Sequence, residues 1–239
     1  MNIRKKFYLV LFVLFLICSA CKQNQVKLSG RFENAERRFL LLSKITESNE
    51  IAFLDTVLLL NGSFSHTVTE DEIGIYLLEY DHSTILTFIA QSGDRMVFTG
   101  DARDLDKTYD VQGNQETQLF LETRRRLNLF YDKTKEWAAI FERHKYADNS
   151  DAVTDYLDSL YNQEFETHKE YLTHFIRENK GKLATLPAFY QKIGKIAFFD
   201  RQKDRALLQE IYDGLSQTYP NSIYVKDLQE KLEEDFFND

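Results

Sequence analysis

The chain has 239 residues, 30 basic and 38 acidic, with a net charge of −8. An acidic chain without a basic stripe lacks the phosphate-neutralising charge on which nucleic-acid affinity rests, so nucleic acid is excluded as a partner. Apolar residues make up 43% of the chain, enough to bury real cores, and its only cysteines, Cys18 and Cys21, lie close together near the start.

Arg4, Lys5 and Lys6 precede an uninterrupted apolar run over residues 7–17. Cys18-Ser19-Ala20-Cys21 follows, and Lys22-Gln23-Asn24-Gln25 ends the apolar character. A basic n-region, small residues at the end and a run short of the roughly 20 residues of a spanning helix lay out a signal peptide over residues 1–20. Cys18-Ser19-Ala20-Cys21 resembles the bacterial lipobox, although Cys18 departs from the usual Leu or Val. The resemblance implies a diacylglycerol on the Cys21 sulfur and cleavage just before it. Each buried methylene contributes about 0.8 kcal/mol, so several acyl chains anchor a protein almost permanently. No acidic export cluster follows Cys21, so the expected location is the outer membrane, facing the periplasm. The mature chain would carry 27 basic against 38 acidic residues, a net of −11, with no free thiol. In an oxidising compartment it would be held by its core alone.

Residues 21–113 are expected to form an antiparallel β-sandwich domain. Val26, Leu28 and Phe32 fall in an alternating run, and residues 51–60 form a strand apolar on both faces, which points to a central position. Asn61-Gly62 then joins it to Ser63-Phe64-Ser65-His66-Thr67-Val68, a two-residue hairpin signal because both central residues of a type I′ turn need positive φ. Further strands are expected at 75–80, 85–90, 95–99 and 108–112, with Ser92-Gly93-Asp94 as a turn.

Asp55-Thr56-Val57, Asn61-Gly62-Ser63-Phe64, Gln91-Ser92-Gly93-Asp94 and Val111-Gln112-Gly113-Asn114, in that order behind a lipobox, resemble a known module. It is the N-terminal domain of unknown function of TlpA-like thiol–disulfide oxidoreductase lipoproteins, and the resemblance covers roughly residues 26–130. In that family a helical segment and a thioredoxin domain follow. The family's Cys-x-x-Cys has no counterpart here, so its redox activity does not carry over.

From Gln115 the apolar period becomes helical, and residues 114–239 are expected to form an α-helical bundle, giving an α+β chain overall. Asn114 suits an N-cap, Asp148-Asn149-Ser150-Asp151 breaks the first helix from the second, and Gly181 caps the second. A third helix is expected from Pro187 to about Phe199, a fourth over 201–219 and a fifth after Pro220-Asn221-Ser222. Residues 207–228 also resemble one tetratricopeptide unit.

No paired nucleophile and base is visible. His168 lies on an apolar helix face and is read as hydrogen-bonded to Glu164 four residues earlier, since no further ligand spacing supports a metal. His66 reads as an edge or core filler, and His82, His144 and His174 have no evident partners. Asp101, Asp104, Asp106 and Asp110 form an acidic loop without the Gly and Glu of a calcium frame, read as a solvated turn. Asp55 lacks the second carboxylate of acid–base chemistry. Arg124-Arg125-Arg126 fans around a helix and reads as a solvated face. Twenty of the 29 aromatics of the mature chain follow Gly113, most at core spacing.

The expectation is a non-enzymatic, lipid-anchored cell-envelope protein, tethered through Cys21, that binds a partner protein or ligand and uses no cofactor or metal. Two alternatives are an accessory subunit of a separate thioredoxin-like reductase and an assembly factor with tetratricopeptide-like helices. A hydrolase or metalloenzyme with dispersed ligands is the minor alternative. The seam between the halves is the discriminating feature: a deep groove there favours a ligand, a broad exposed apolar face a protein partner.

Overall fold

The computed structural model describes residues 24–47 and 50–237. The leader and Cys21 lie outside the described residues. The fold is mixed α+β, two four-stranded sheets followed by helices. The strands are β1 (Gln25–Glu33), β2 (Phe39–Ile45), β3 (Ile51–Leu58), β4 (Ser63–Thr69), β5 (Gly74–Asp81), β6 (Thr84–Ala90), β7 (Arg95–Asp101) and β8 (Asp110–Gln112). The first sheet has the order β4-β1-β7-β8 and the second β3-β2-β5-β6.

Inward side chains of both sheets, among them Leu28, Phe32, Leu42, Val57, Tyr76, Phe88 and Phe98, share one core. The Phe88 ring stacks on Tyr76 at 5.2 Å and meets Phe98 edge-on at 5.0 Å, the arrangements that aromatic quadrupoles favour. The expectation of wholly antiparallel pairing is corrected at β1 and β7, which run parallel from Lys27–Arg95 to Glu33–Asp101. Between these strands the chain passes through the whole second sheet, then turns at Gly93, whose N–H bonds the Gln25 carbonyl, and re-enters beside the start of β1.

The Asn61-Gly62 turn has the expected geometry, with φ of 51° and 76°. Leu60 and Ser63 exchange backbone hydrogen bonds of 2.8 and 2.9 Å. A side chain at Gly62 would place its Cβ 2.4 Å from the Phe32 carbonyl oxygen, so the turn needs glycine. It does not close a long hairpin, because β3 and β4 diverge into different sheets. Two strand expectations are also corrected. β2 is a strand that the sequence reading lacks, because Phe39-Leu40-Leu41-Leu42 does not alternate. β3 is an edge strand and not a central one. A bulge at Leu54 shifts its register against β2, so Ile51 and Phe53 point outward and Val57 inward.

The helices are α1 (Leu105–Thr108), α2 (Gln115–His144), α3 (Ser150–Glu178), α4 (Thr185–Phe189), α5 (Arg205–Thr218) and α6 (Ile223–Phe237). The Asn114 side chain caps α2 by accepting the Thr117 N–H, and Gly181 follows α3 at φ 80°. The expected third helix is corrected. α4 ends at Phe189, and Gly194, at φ 61°, turns a small hairpin of β9 (Lys192–Ile193) and β10 (Ile196–Ala197). That hairpin delivers Phe198 and Phe199 to the helical core.

Sheets and helices share apolar contacts at the seam, because Ile73, Ile75 and Ile89 belong to the core formed by α3, α5 and α6. Polar contacts fix the same boundary. The Thr117 hydroxyl donates to the Ile89 carbonyl at 2.6 Å, and Asn114 Nδ2 donates to the same oxygen at 2.9 Å. The Tyr224 hydroxyl donates to the Ile45 carbonyl at 2.9 Å and accepts the Ile75 N–H at 2.8 Å. Tyr224→Phe leaves that buried N–H unpaired and should cost about 1–3 kcal/mol. Urea unfolding of the whole chain checks this, and a midpoint equal to wild type would mean that Tyr224 does not secure the seam.

Candidate functional site

The structure places most of the candidate residues in structural contacts. His168 is buried, with 1% exposure, among Phe130, Tyr171 and Phe198, whose rings lie 6.1, 5.9 and 4.5 Å from its own. Its Nε2 lies 2.7 Å from Gln191 Oε1, and Nδ1 has no protein partner. The expected bond to Glu164 is therefore corrected: Gln191 is the partner, and Glu164 accepts from Lys133 Nζ at 2.5 Å. Gln191 Oε1 can only accept, which assigns the proton of the neutral ring to Nε2. Burial holds the imidazole pKa below its ordinary value, with the Gln191 bond opposing that shift in part.

The acidic loop and the arginine triplet, read separately as solvated, stay largely exposed, and two of the aspartates pair with two of the arginines. Arg124 pairs with Asp106 and lies over the Tyr109 ring at 5.1 Å. Arg125 pairs with Asp110 at 2.6 Å, and Arg126 lies over Tyr171 of α3 at 5.1 Å. Asp101 pairs with Arg103 at 2.5 Å, and hydrogen bonds from that side chain hold its carboxyl well below the usual carboxylate range. The fan of three arginines thus reaches the α1 loop, β8 and α3.

Asp55 sits in exposed backbone beside the β3 bulge, with His66 Nε2 at 3.4 Å. His174 faces Glu178 at 3.0 Å, His82 faces Glu79 at 3.4 Å, and His144 Nδ1 lies 2.9 Å from the Ile140 carbonyl. Among the described residues no group of three or more His, Cys, Asp and Glu side chains is arranged to hold a metal, and no helix is long and apolar enough to cross a membrane.

Several concave places lie among the described residues, two of them charged hollows of about 430 Å³ beside Arg124, Asn128 and Asp132 and of about 370 Å³ beside Lys169, His174 and Arg177. A cavity of about 270 Å³ at one end of the seam is lined by Asp71, Ile73, Gln91, Tyr219 and Ser222. A groove of about 250 Å³ lies between α2 and α3, lined by Trp137, Phe141, Leu157 and Tyr161. The groove is mainly apolar, whereas the seam cavity is mainly polar, with Glu72, Ser92 and Asn221 also in its lining.

Five large apolar side chains are exposed on the outer face of the second sheet. Phe39, Ile51, Phe53 and Leu58 are 47, 63, 59 and 65% exposed, and Ile85 is 37% exposed. The β2–β3 register sets Phe39 opposite Leu58, Leu41 opposite Thr56 and Ile45 opposite Ile51, so these side chains lie on one face. At the Ile45 end that face runs under the helices, where Ile75 and Ile89 are buried, and at the Phe39 end it is open. Sequence reasoning missed this face although its signal was present. Ile51, Phe53, Leu58 and Leu60 make β3 apolar on both sides, and a strand can be so without being covered on both.

No protein-family model matches the chain, and no curated protein matches it significantly in sequence.

The buried imidazole gives a signed pH dependence. With its folded pKa lowered, the neutral ring is favoured in the folded chain, so its contribution is fully present above the unfolded value of about 6.5 and is lost as pH falls towards the folded one. Urea unfolding between about pH 7.5 and about pH 5 should lose stability more steeply for wild type than for His168→Gln. Equal slopes would mean that the ring does not sense pH through folding.

Proposed function

We propose that this chain is a non-enzymatic, lipid-anchored cell-envelope protein, tethered through Cys21, that docks a partner protein on the outer face of its second sheet. In this reading the two sheets form a β-sandwich, the helices form a supporting bundle, and the tether holds the start of β1 at the periplasmic face of the outer membrane. The observation that carries the docking role is the open apolar face of Phe39, Ile51, Phe53, Leu58 and Ile85. Large apolar side chains gathered on one open sheet face, here around Glu79, mark interaction surfaces. Apolar packing of Ile75 and Ile89 closes the middle of the seam, leaving a cavity only at its Asp71–Ser222 end.

The tether reading rests on the leader layout and on Cys21, three residues before Asn24, where the described chain begins. Asn24 Nδ2 bonds Asp71, and the Asp94 carboxylate accepts from Asn114 at the start of α2, so the sheet loops and the root of α2 gather at the anchored end. The 30 residues of α2 then place its far end about 45 Å from that root. The module resemblance also favours an accessory subunit of a separate thiol–disulfide reductase. An unchanged periplasmic thiol profile in a deletion strain would dismiss that version.

Two substitutions test the proposal. Cys21→Ser should release the protein from membranes on fractionation, and an unchanged membrane fraction would defeat the anchor. Phe53→Asp, at an exposed position, should abolish in-cell cross-linking from this face while leaving the melting temperature within a few degrees of wild type. Cross-links that persist unchanged would defeat the docking face.

A further inference from the structure

The groove between α2 and α3 has a chemistry of its own, independent of the sheet face and of the anchor. Phe130, fully buried, holds two of its walls: Trp137 meets that ring edge-on at 6.4 Å, and Tyr161 packs against it at 5.5 Å. Phe141 and Leu157 complete the apolar lining, and Ala138 is too small to fill the space beside them. The polar side chains of the lining mostly accept. Thr134 Oγ1 donates to the Tyr131 carbonyl at 2.8 Å and Thr154 Oγ1 to the Ser150 carbonyl at 2.9 Å, so each hydroxyl has spent its proton and offers lone pairs alone. Trp137 Nε1 and the Tyr161 hydroxyl are the donors that remain. Asp158 is the one charged residue of the lining, exposed and without an ion pair among the described residues. Asp151 and Asp155, seven and three residues earlier on α3, have no ion pair there either. The nearby ammonium groups of α2 are already answered: Lys133 by Glu164 at 2.5 Å, Lys135 by Asp132 at 3.6 Å and Lys145 by Glu142 at 2.5 Å.

From this lining we propose that the groove binds a small amphipathic cation, an apolar stem ended by an ammonium or guanidinium group. The stem covers Phe141 and Leu157 and takes their surface from water. The head lies among the three aromatic rings, whose π-systems attract cations, and donates to Asp158 and to the spent threonine hydroxyls. An anion of the same length would meet the Asp158 carboxylate and two acceptors. A neutral alcohol would gain the apolar contact but neither the ion pair nor the cation–π attraction. Because Phe130 fixes two of the walls before anything binds, little ordering is left to oppose binding. A free alkylamine and the side chain of a lysine share this chemistry.

Trp137 is the chain's one tryptophan, so its fluorescence reads this groove directly. The test titrates the purified full chain with hexylammonium, hexanol, hexanoate and Nα-acetyl-lysine methylamide. Hexylammonium should change the Trp137 emission saturably, at concentrations about tenfold below those hexanol needs, and hexanoate should give no saturable change. Asp158→Asn, at an exposed position, should weaken hexylammonium about three- to fivefold and leave hexanol where it was. Ala138→Lys, also at an exposed position, sets the chain's own ammonium in the groove and should abolish the saturable change. The lysine derivative identifies the source. Binding as tight as that of hexylammonium supports a lysine side chain of a protein segment, weaker binding supports a free amine, and the cation site stands in both cases. No saturable change with hexylammonium, equal affinity for hexylammonium and hexanol, or affinity unmoved by Asp158→Asn or by Ala138→Lys overturns the inference.

Discussion

The first turn of α2 is the constraint on which the rest of the molecule depends. Within four residues, Asn114 and Thr117 both donate to the Ile89 carbonyl at the end of β6, and the Ile89 N–H returns a bond to the Thr117 hydroxyl at 3.0 Å. Glu116, between them and 6% exposed, accepts the Ala184 N–H at 3.0 Å and the Tyr219 hydroxyl at 2.9 Å. One helical turn thus ties the second sheet to α2, to the start of α4 and to the end of α5. Asn114 joins the two roles: its side-chain oxygen meets the free Thr117 N–H of the helix start, and its amide nitrogen reaches across to the sheet.

Fixing that turn decides what is covered and what is left open. The helices close over the Ile45, Ile75 and Ile89 end of the second sheet. Beyond Phe130, no residue of α2 is buried, and α3 meets it there as a two-helix arm. The helical mass therefore lies to one side, and the Phe39–Leu58 end of the sheet face stays clear. Arg124, Arg125 and Arg126 serve the same division by binding the α1 loop and β8 on one side of α2 and α3 on the other. Exposed ion pairs of this sort contribute little stability each, so their role is to set orientation.

How much of this was legible in the sequence follows from the range of each signal. Local signals read correctly: Asn61-Gly62 demanded positive φ, Asn114 capped its own helix, and Gly181 ended the next. Signals that depend on distant partners did not. The bulge at Leu54 inverts the alternation of β3 and depends on pairing with β2, a strand whose leucine run hides its period. The partner of His168 is Gln191, 23 residues away on a turn that a helical reading of 187–199 erased. The arginines and aspartates lie 15 and 18 residues apart and pair only because β8 and α1 fold back beside α2. The apolar face was visible as composition and invisible as a surface, because exposure belongs to the packed chain.

The claim beneath the whole account is that sheets and helices form a single cooperative body locked at the first turn of α2. Hydrogen exchange of the full chain under rising sub-denaturing urea measures this directly, by the opening free energy of amides in β5 and β6 against those in α5 and α6. The account predicts that the most protected amides of both sets open together, with the same free energy and the same urea dependence. Helical amides that exchange at markedly lower urea, while β5 and β6 stay protected, would contradict it.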